Sequence, residues 1–153
     1  MSAFKDNLLA GKTAFINALN QQWVESAARV SPRVLTDLLR AAGVALADFV
    51  EALPDDAPAL FPVSWAGDHE SPGWFDIGRE FTEQWHHHSQ IRDAVGAPPL
   101  REPSWLHAVL SISMRGLPHA YRHVAAATGQ TVSIEVTGPG GGLWTLRREP
   151  QAW

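Results

Sequence analysis

Apolar residues recur at three- and four-residue steps through most of this chain, and past Thr131 they recur at every second residue. The first period belongs to α-helices and the second to β-strands. The chain is therefore confined to a mainly helical fold that closes with a β-hairpin. Phe4, Leu8, Phe15, Leu19, Trp23 and Ala27 mark a first helix over about 3–29, with a drift at Gly11. Ser31-Pro32 supplies an N-cap and an N1 proline for a second helix over 32–53, which carries Leu35, Leu38, Leu39, Ala42, Leu46 and Phe49. The stretch from Leu60 to Gly73, with Pro62, Trp65, Gly67 and Pro72, reads as a loop. A third helix over 74–95 shows Phe75, Gly78, Phe81, Trp85 and Val95, and stops at Gly96 ahead of Pro98-Pro99. A fourth, over 104–127, shows Trp105, Val109, Ile112 and Leu117 and should kink at Pro118. The alternation then puts Val132, Ile134 and Val136 on one face of a strand. Gly138-Pro-Gly-Gly-Gly142 turns, and Trp144 and Leu146 share a face of the returning strand. The expected domains are a helical bundle over 1–128 and the hairpin over 129–153.

With 153 residues, 45% of them apolar, the chain can build a core. A net charge of −4 with no Lys/Arg cluster makes it a poor nucleic-acid binder. No run approaches the roughly 18–20 apolar residues of a membrane span, and no secretory leader is readable at the N-terminus, so the cytoplasm is the expected location. The chain has no cysteine. Disulfides, thiolate metal sites and a cysteine nucleophile are excluded, and any thiol chemistry needs a thiol brought in from outside.

The chemistry concentrates in Glu83-Gln-Trp-His-His-His-Ser-Gln-Ile-Arg-Asp93. Glu83 and His87 stand at i, i+4, which stacks a carboxylate and an imidazole on one helix face. Two such side chains can share one divalent metal, as paired histidines do in zinc proteases. The bland alternatives are an exposed pair of no consequence and a histidine packed in a core. Neighbouring helical residues diverge by ~100°, so His86 and His88 should point away from a site at His87. That site is expected to face a cleft between helices, with Gln90 continuing its face and Trp74 and Trp85 as candidate substrate walls. His119 and His123 read as a helix end, where imidazole suits the dipole, and His69 as a loop residue. Gly138–Gly142 is followed by a strand and lacks Gly-Lys-Ser/Thr, so it is a turn rather than a phosphate loop. No Gly-x-Ser-x-Gly signature occurs.

Phe75–Gly96 resembles the metal-bearing helix of the DinB/mycothiol-dependent maleylpyruvate isomerase superfamily. The pattern there is Glu-x-x-x-His, often with Asp three residues on, then an Arg-Ala-Leu-Gly-like ending. Glu83, His87, Gln90 and Arg92-Asp-Ala-Val-Gly96 occupy those positions, with Gln90 in place of the Asp. Val132–Arg147 resembles the start of the small sterol-carrier-like α/β domain that follows the bundle in the isomerases. The resemblance implies a DinB-like four-helix bundle holding one divalent metal, commonly zinc, through an early histidine and two ligands of the later helix. It also implies a mycothiol-type thiol as cosubstrate, a small-molecule substrate, and isomerase or transferase chemistry. The early histidine, in an Ala-His-Leu context, has no counterpart before His69. The chain thus reads as an internal portion or a shortened member, with an apolar stripe including Phe81, Trp85 and Val109 left open to a second copy in a homodimer. Two readings from other classes stand beside the enzyme: a non-catalytic helical interaction module, and a metal-dependent hydrolase on the same residues.

Overall fold

The computed structural model describes residues 2–54, 56–59, 63–67 and 70–153, with the side chains at 2–10, 12–13 and 64 outside the description. The side chains of Phe4 and Leu8, and the whole of Leu60, Pro62 and His69, fall outside it. The fold is mainly helical with a C-terminal antiparallel hairpin. The chain divides into two compact units, Met1–Ala52 and Leu53–Trp153.

The first unit holds α1 (Ser2–Ala27) and α2 (Pro32–Glu51). The Ser31 hydroxyl accepts the backbone N–H of Val34 at 3.4 Å, and Pro32 occupies the first turn, where its missing N–H costs no helical bond. α2 is strongly amphipathic, with Leu35, Leu38, Leu39, Leu46 and Phe49 at helical spacing.

The second unit begins with a segment zipped by backbone pairing. Pro58 bridges Pro72, and the Ala59 and Gly73 amides donate to the carbonyls of Ser71 and Ala57. A short 3-10 turn, Ser64–Ala66, precedes α3 (Gly73–Ala94). The best-covered side chains gather here: Phe75 is fully buried, with Trp65 and Trp74 packed against its ring at centroid distances of 5.6 and 5.5 Å. Buried Ser71 accepts the Val63 amide at 3.1 Å, so the loop's polar groups do not enter the core unpaired.

α3 ends as its sequence dictates. Gly96 takes φ +66°, the Ala97 amide reaches back to the Arg92 carbonyl, and the Gly96 amide to Asp93, which together form a Schellman motif. α4 (Pro103–Met114) packs against α3. Gly78 makes that approach close, since a Cβ there would sit 2.3 Å from Ile112 Cδ1.

The fourth helix does not continue to Ala127. It stops at Met114, and a separate five-residue α5 (Leu117–Tyr121) follows. The amides of Arg115 and Gly116 shift to carbonyls three residues back, which tightens the last turn. Pro118 offers no N–H to continue the ladder and instead occupies the first turn of α5. His119 accordingly lies on α5 while His123 lies beyond it, so the two do not share a helix face.

β1 (Thr131–Val136) and β2 (Gly142–Arg147) pair antiparallel, with Val132 opposite Leu146 and Ile134 opposite Trp144. The expected faces are observed: these residues are half-buried and their neighbours exposed. The turn is anchored on α4. His107 Nδ1 donates to the Gly141 carbonyl at 3.1 Å, and its ring stacks on Trp144 at 5.5 Å. Trp153 packs on Tyr121 and donates its indole N–H to the Val124 carbonyl, which ties down the C-terminus.

Candidate functional site

The middle of α3 is regular helix, so residues at i+3 and i+4 meet by geometry alone. Glu83 Oε2 lies 3.6 Å from His87 Nε2. His87 Nδ1 is 3.0 Å from Gln90 Oε1, and Gln90 Nε2 is 3.1 Å from His86 Nε2. Because the amide oxygen only accepts and the amide nitrogen only donates, the hydrogens follow. His87 Nδ1 donates to Gln90 and its Nε2 faces the Glu83 carboxylate, while His86 Nε2 accepts from Gln90.

Two expectations change here. His86 is not directed away from the cluster. Gln90 is four residues from His86 and three from His87, so one amide reaches both imidazoles, whose centroids lie 5.7 Å apart. Nor do Glu83 and His87 face a cleft among the described residues of the second unit: their side chains are 69% and 66% exposed. The cleft beside them belongs to the neighbouring face of α3, where Phe81, Gln84, Trp85 and His88 meet Leu100 and Trp105 around about 160 Å³. Trp85 walls that cleft, and its indole N–H is buried with no protein acceptor among the described residues. Gln84 is held by Glu80, to which its amide donates at 3.1 Å.

Trp74 lies one end further along, on an apolar groove of about 500 Å³ between α3 and α4 that also involves Ile77, Phe81, Trp105 and Ile112. At that end the Arg115 guanidinium rests over the rings of Trp74 and Phe75, 5.5 and 5.7 Å from their centroids. Sequence spacing gave no sign of Arg115, because its position depends on how the end of α4 meets the start of α3. The link from Gln90 to His86 did have a signal, the i, i+4 spacing.

Among the described residues, no group of three or more His, Cys, Asp or Glu side chains converges in a way that could hold a metal. Glu83 and His87 place two donor atoms 3.6 Å apart on one helix face. Among the described residues no helix is long and apolar enough to cross a membrane.

No curated protein and no solved structure matches the chain. A family model does: that of the mycothiol maleylpyruvate isomerase N-terminal domain, over residues 3–92. The match takes in more than half of the chain and contains Glu83, His87 and Gln90. The chain therefore belongs to the mycothiol maleylpyruvate isomerase N-terminal domain family, within the DinB-like superfamily.

Proposed function

We propose that the chain serves a metal- and thiol-dependent isomerase or transferase, in which Glu83 and His87 are ligands of a divalent ion, zinc in the first instance, and a mycothiol-type thiol is the cosubstrate. The observation that carries this reading is the 3.6 Å approach of Glu83 Oε2 to His87 Nε2, inside the segment that matches the isomerase family. The donors suit the ion. Ligands about 2.0–2.2 Å from one tetrahedral zinc lie about 3.4 Å from each other, so the two atoms span one edge of such a site with little adjustment. A carboxylate oxygen and an imidazole nitrogen are also a donor pair that borderline divalent metals accept.

A divalent ion held there supplies deprotonation of a coordinating thiol. The residues of the chain orient. Gln90 holds His87 by Nδ1, which presents Nε2 on the Glu83 side, and Glu83 adds a negative charge beside it. Since the chain has no cysteine, the reacting sulfur comes from the cosubstrate. The substrate is a small electrophile such as an activated alkene, to which a thiol adds and from which it leaves with isomerisation, or on which it stays in a transfer. Trp85 and Trp74 wall the neighbouring cleft and groove. Thiols stay reduced in the cytoplasm, which is where this chemistry fits.

The exposure of the pair, with no third ligand among the described residues, favours a second reading: a non-catalytic helical module. Incubating the zinc-supplemented protein with mycothiol and maleylpyruvate separates the two. Isomerisation above the rate of zinc and thiol alone, lost in His87→Ala, supports the enzyme. Rates equal to that background in both proteins support the module.

A further inference from the structure

One amide links two imidazoles in the middle of α3. Gln90 Oε1 lies 3.0 Å from His87 Nδ1, and Gln90 Nε2 lies 3.1 Å from His86 Nε2. The three residues occupy little more than one turn of a single helix, so i, i+3 and i, i+4 spacing alone brings them together. An amide accepts at one end and donates at the other, and a neutral imidazole has one nitrogen of each kind. With Oε1 on His87, that ring carries its hydrogen on Nδ1. The Gln90 N–H group then faces His86 Nε2, so His86 accepts there and also carries its hydrogen on Nδ1. Turning the amide by 180° reverses both bonds and puts both hydrogens on Nε2. Gln90 therefore favours the same tautomer in both rings, because one of each sets two donors or two acceptors against each other. Glu83 Oε2 is 3.6 Å from His87 Nε2, beyond hydrogen-bond range, and does not hold a hydrogen there.

We propose that His86 is a positioning residue for His87 and acts through Gln90, by selecting the tautomer in which His87 Nε2 is free for a metal. The proposal rests on the reading of His87 as a ligand through Nε2. A ligating imidazole gives the metal one nitrogen and keeps its hydrogen on the other, where a partner fixes it. With Nε2 given to a metal, the His87 hydrogen stands on Nδ1 and Gln90 must present Oε1 to it. The Gln90 N–H group is then turned to His86, which completes the arrangement by accepting on Nε2. The hydrogen of His86 is thereby committed to Nδ1. A residue at 86 that cannot accept leaves the amide free to turn, and His87 loses its preference for presenting Nε2. His86 acts here without being a ligand: among the described residues no three His, Asp or Glu side chains converge on one ion.

The test uses the 153-residue chain with nitrogen-15 histidine. Long-range proton–nitrogen NMR reads which ring nitrogen carries the hydrogen, and His86→Gln and His87→Gln assign the two signals. The pH is held at about 8, above the ordinary imidazole value of about 6.5. Zinc should place the His87 hydrogen on Nδ1 and raise the Nδ1–H share of His86 at least about twofold. In Gln90→Leu saturated with zinc, His87 should still respond and His86 should not. His86→Ala should weaken zinc binding about threefold, less than loss of the direct partner of a ligand. His86→Gln, whose amide can accept from Gln90, should restore it. A zinc response at His87 with none at His86, or the same His86 response in Gln90→Leu, overturns the coupling. Zinc affinity unchanged in His86→Ala, or as weak in His86→Gln as in the alanine variant, overturns the positioning role. No zinc response at His87 itself is a different failure: it contradicts His87 as a ligand, and the role of His86 falls with it.

Discussion

His107 Nδ1 donates to the carbonyl of Gly141, thirty-four residues on, and this bond joins the start of α4 to the turn of the hairpin. The same imidazole stacks on Trp144, so one side chain contacts both the turn and the half-buried face of β2. A two-stranded hairpin is marginal alone in water, and this anchorage gives it a surface to rest on. His107→Ala should cost about 1 kcal/mol, the worth of one exposed hydrogen bond and a ring contact. Amide exchange across Thr131–Val136 and Gly142–Arg147 should accelerate more than exchange in α3. Unchanged protection of the strands would mean that the hairpin is held by other contacts.

Two glycines at positive φ separate backbone strain from docking. Gly96 (φ +66°) has open space where a Cβ would stand, whereas at Gly140 (φ +81°) it would meet the Pro103 carbonyl oxygen at 2.6 Å. Gly96→Ala should therefore cost only the left-handed penalty, about 1–2 kcal/mol. Gly140→Ala should cost that and a backbone collision more, with the hairpin lifted off α4. Equal midpoint shifts for the two variants in urea would argue against close docking of the turn.

Ser31→Ala removes the side-chain acceptor at the start of α2. The bond is long at 3.4 Å, so the loss should fall toward the lower part of the range for N-caps, about 0.5–1 kcal/mol. Ser31→Asp should restore it. Thermal unfolding of the three proteins gives the comparison, and an alanine variant as stable as the parent would show that the cap contributes nothing.

Gln90 orients His87 through Nδ1 and is shared with His86. Gln90→Leu keeps similar bulk and removes both bonds. On the proposed reading it should weaken zinc binding by about tenfold, the usual scale for loss of a partner behind a ligand, with little change in global stability because the residues are exposed. Zinc affinity unchanged in Gln90→Leu would show that Gln90 does not position the ligand.

The helical elements were legible because their signals are local. Ser31-Pro32 sets the start of α2, Gly96 sets the end of α3, and the alternation from Val132 to Leu146 gives both strands and their inward faces. The approach of Glu83 to His87 was legible for the same reason, since i, i+4 geometry needs no tertiary knowledge. The misreadings have one source. Whether α4 could pass Pro118 depends on Gly116, where a Cβ would come within 3.1 Å of the Trp65 ring. The side of α3 that faces a cleft depends on where Leu100 and Trp105 arrive, and they arrive at Trp85 and His88. Arg115 over Trp74 is a meeting of two helices that no spacing within either one encodes.

Zinc affinity of the purified 153-residue chain, measured by competition with a chromogenic chelator beside Glu83→Gln and His87→Ala, tests the central claim most directly. A two-donor chelate leaves most of the coordination sphere to water, so binding should be one ion per chain and well short of the about 10–16 kcal/mol of structural zinc sites. Each substitution should weaken it at least about tenfold, or 1.4 kcal/mol. Zinc binding that neither substitution alters, or none at all in the parent chain, would contradict the assignment of Glu83 and His87 as its ligands.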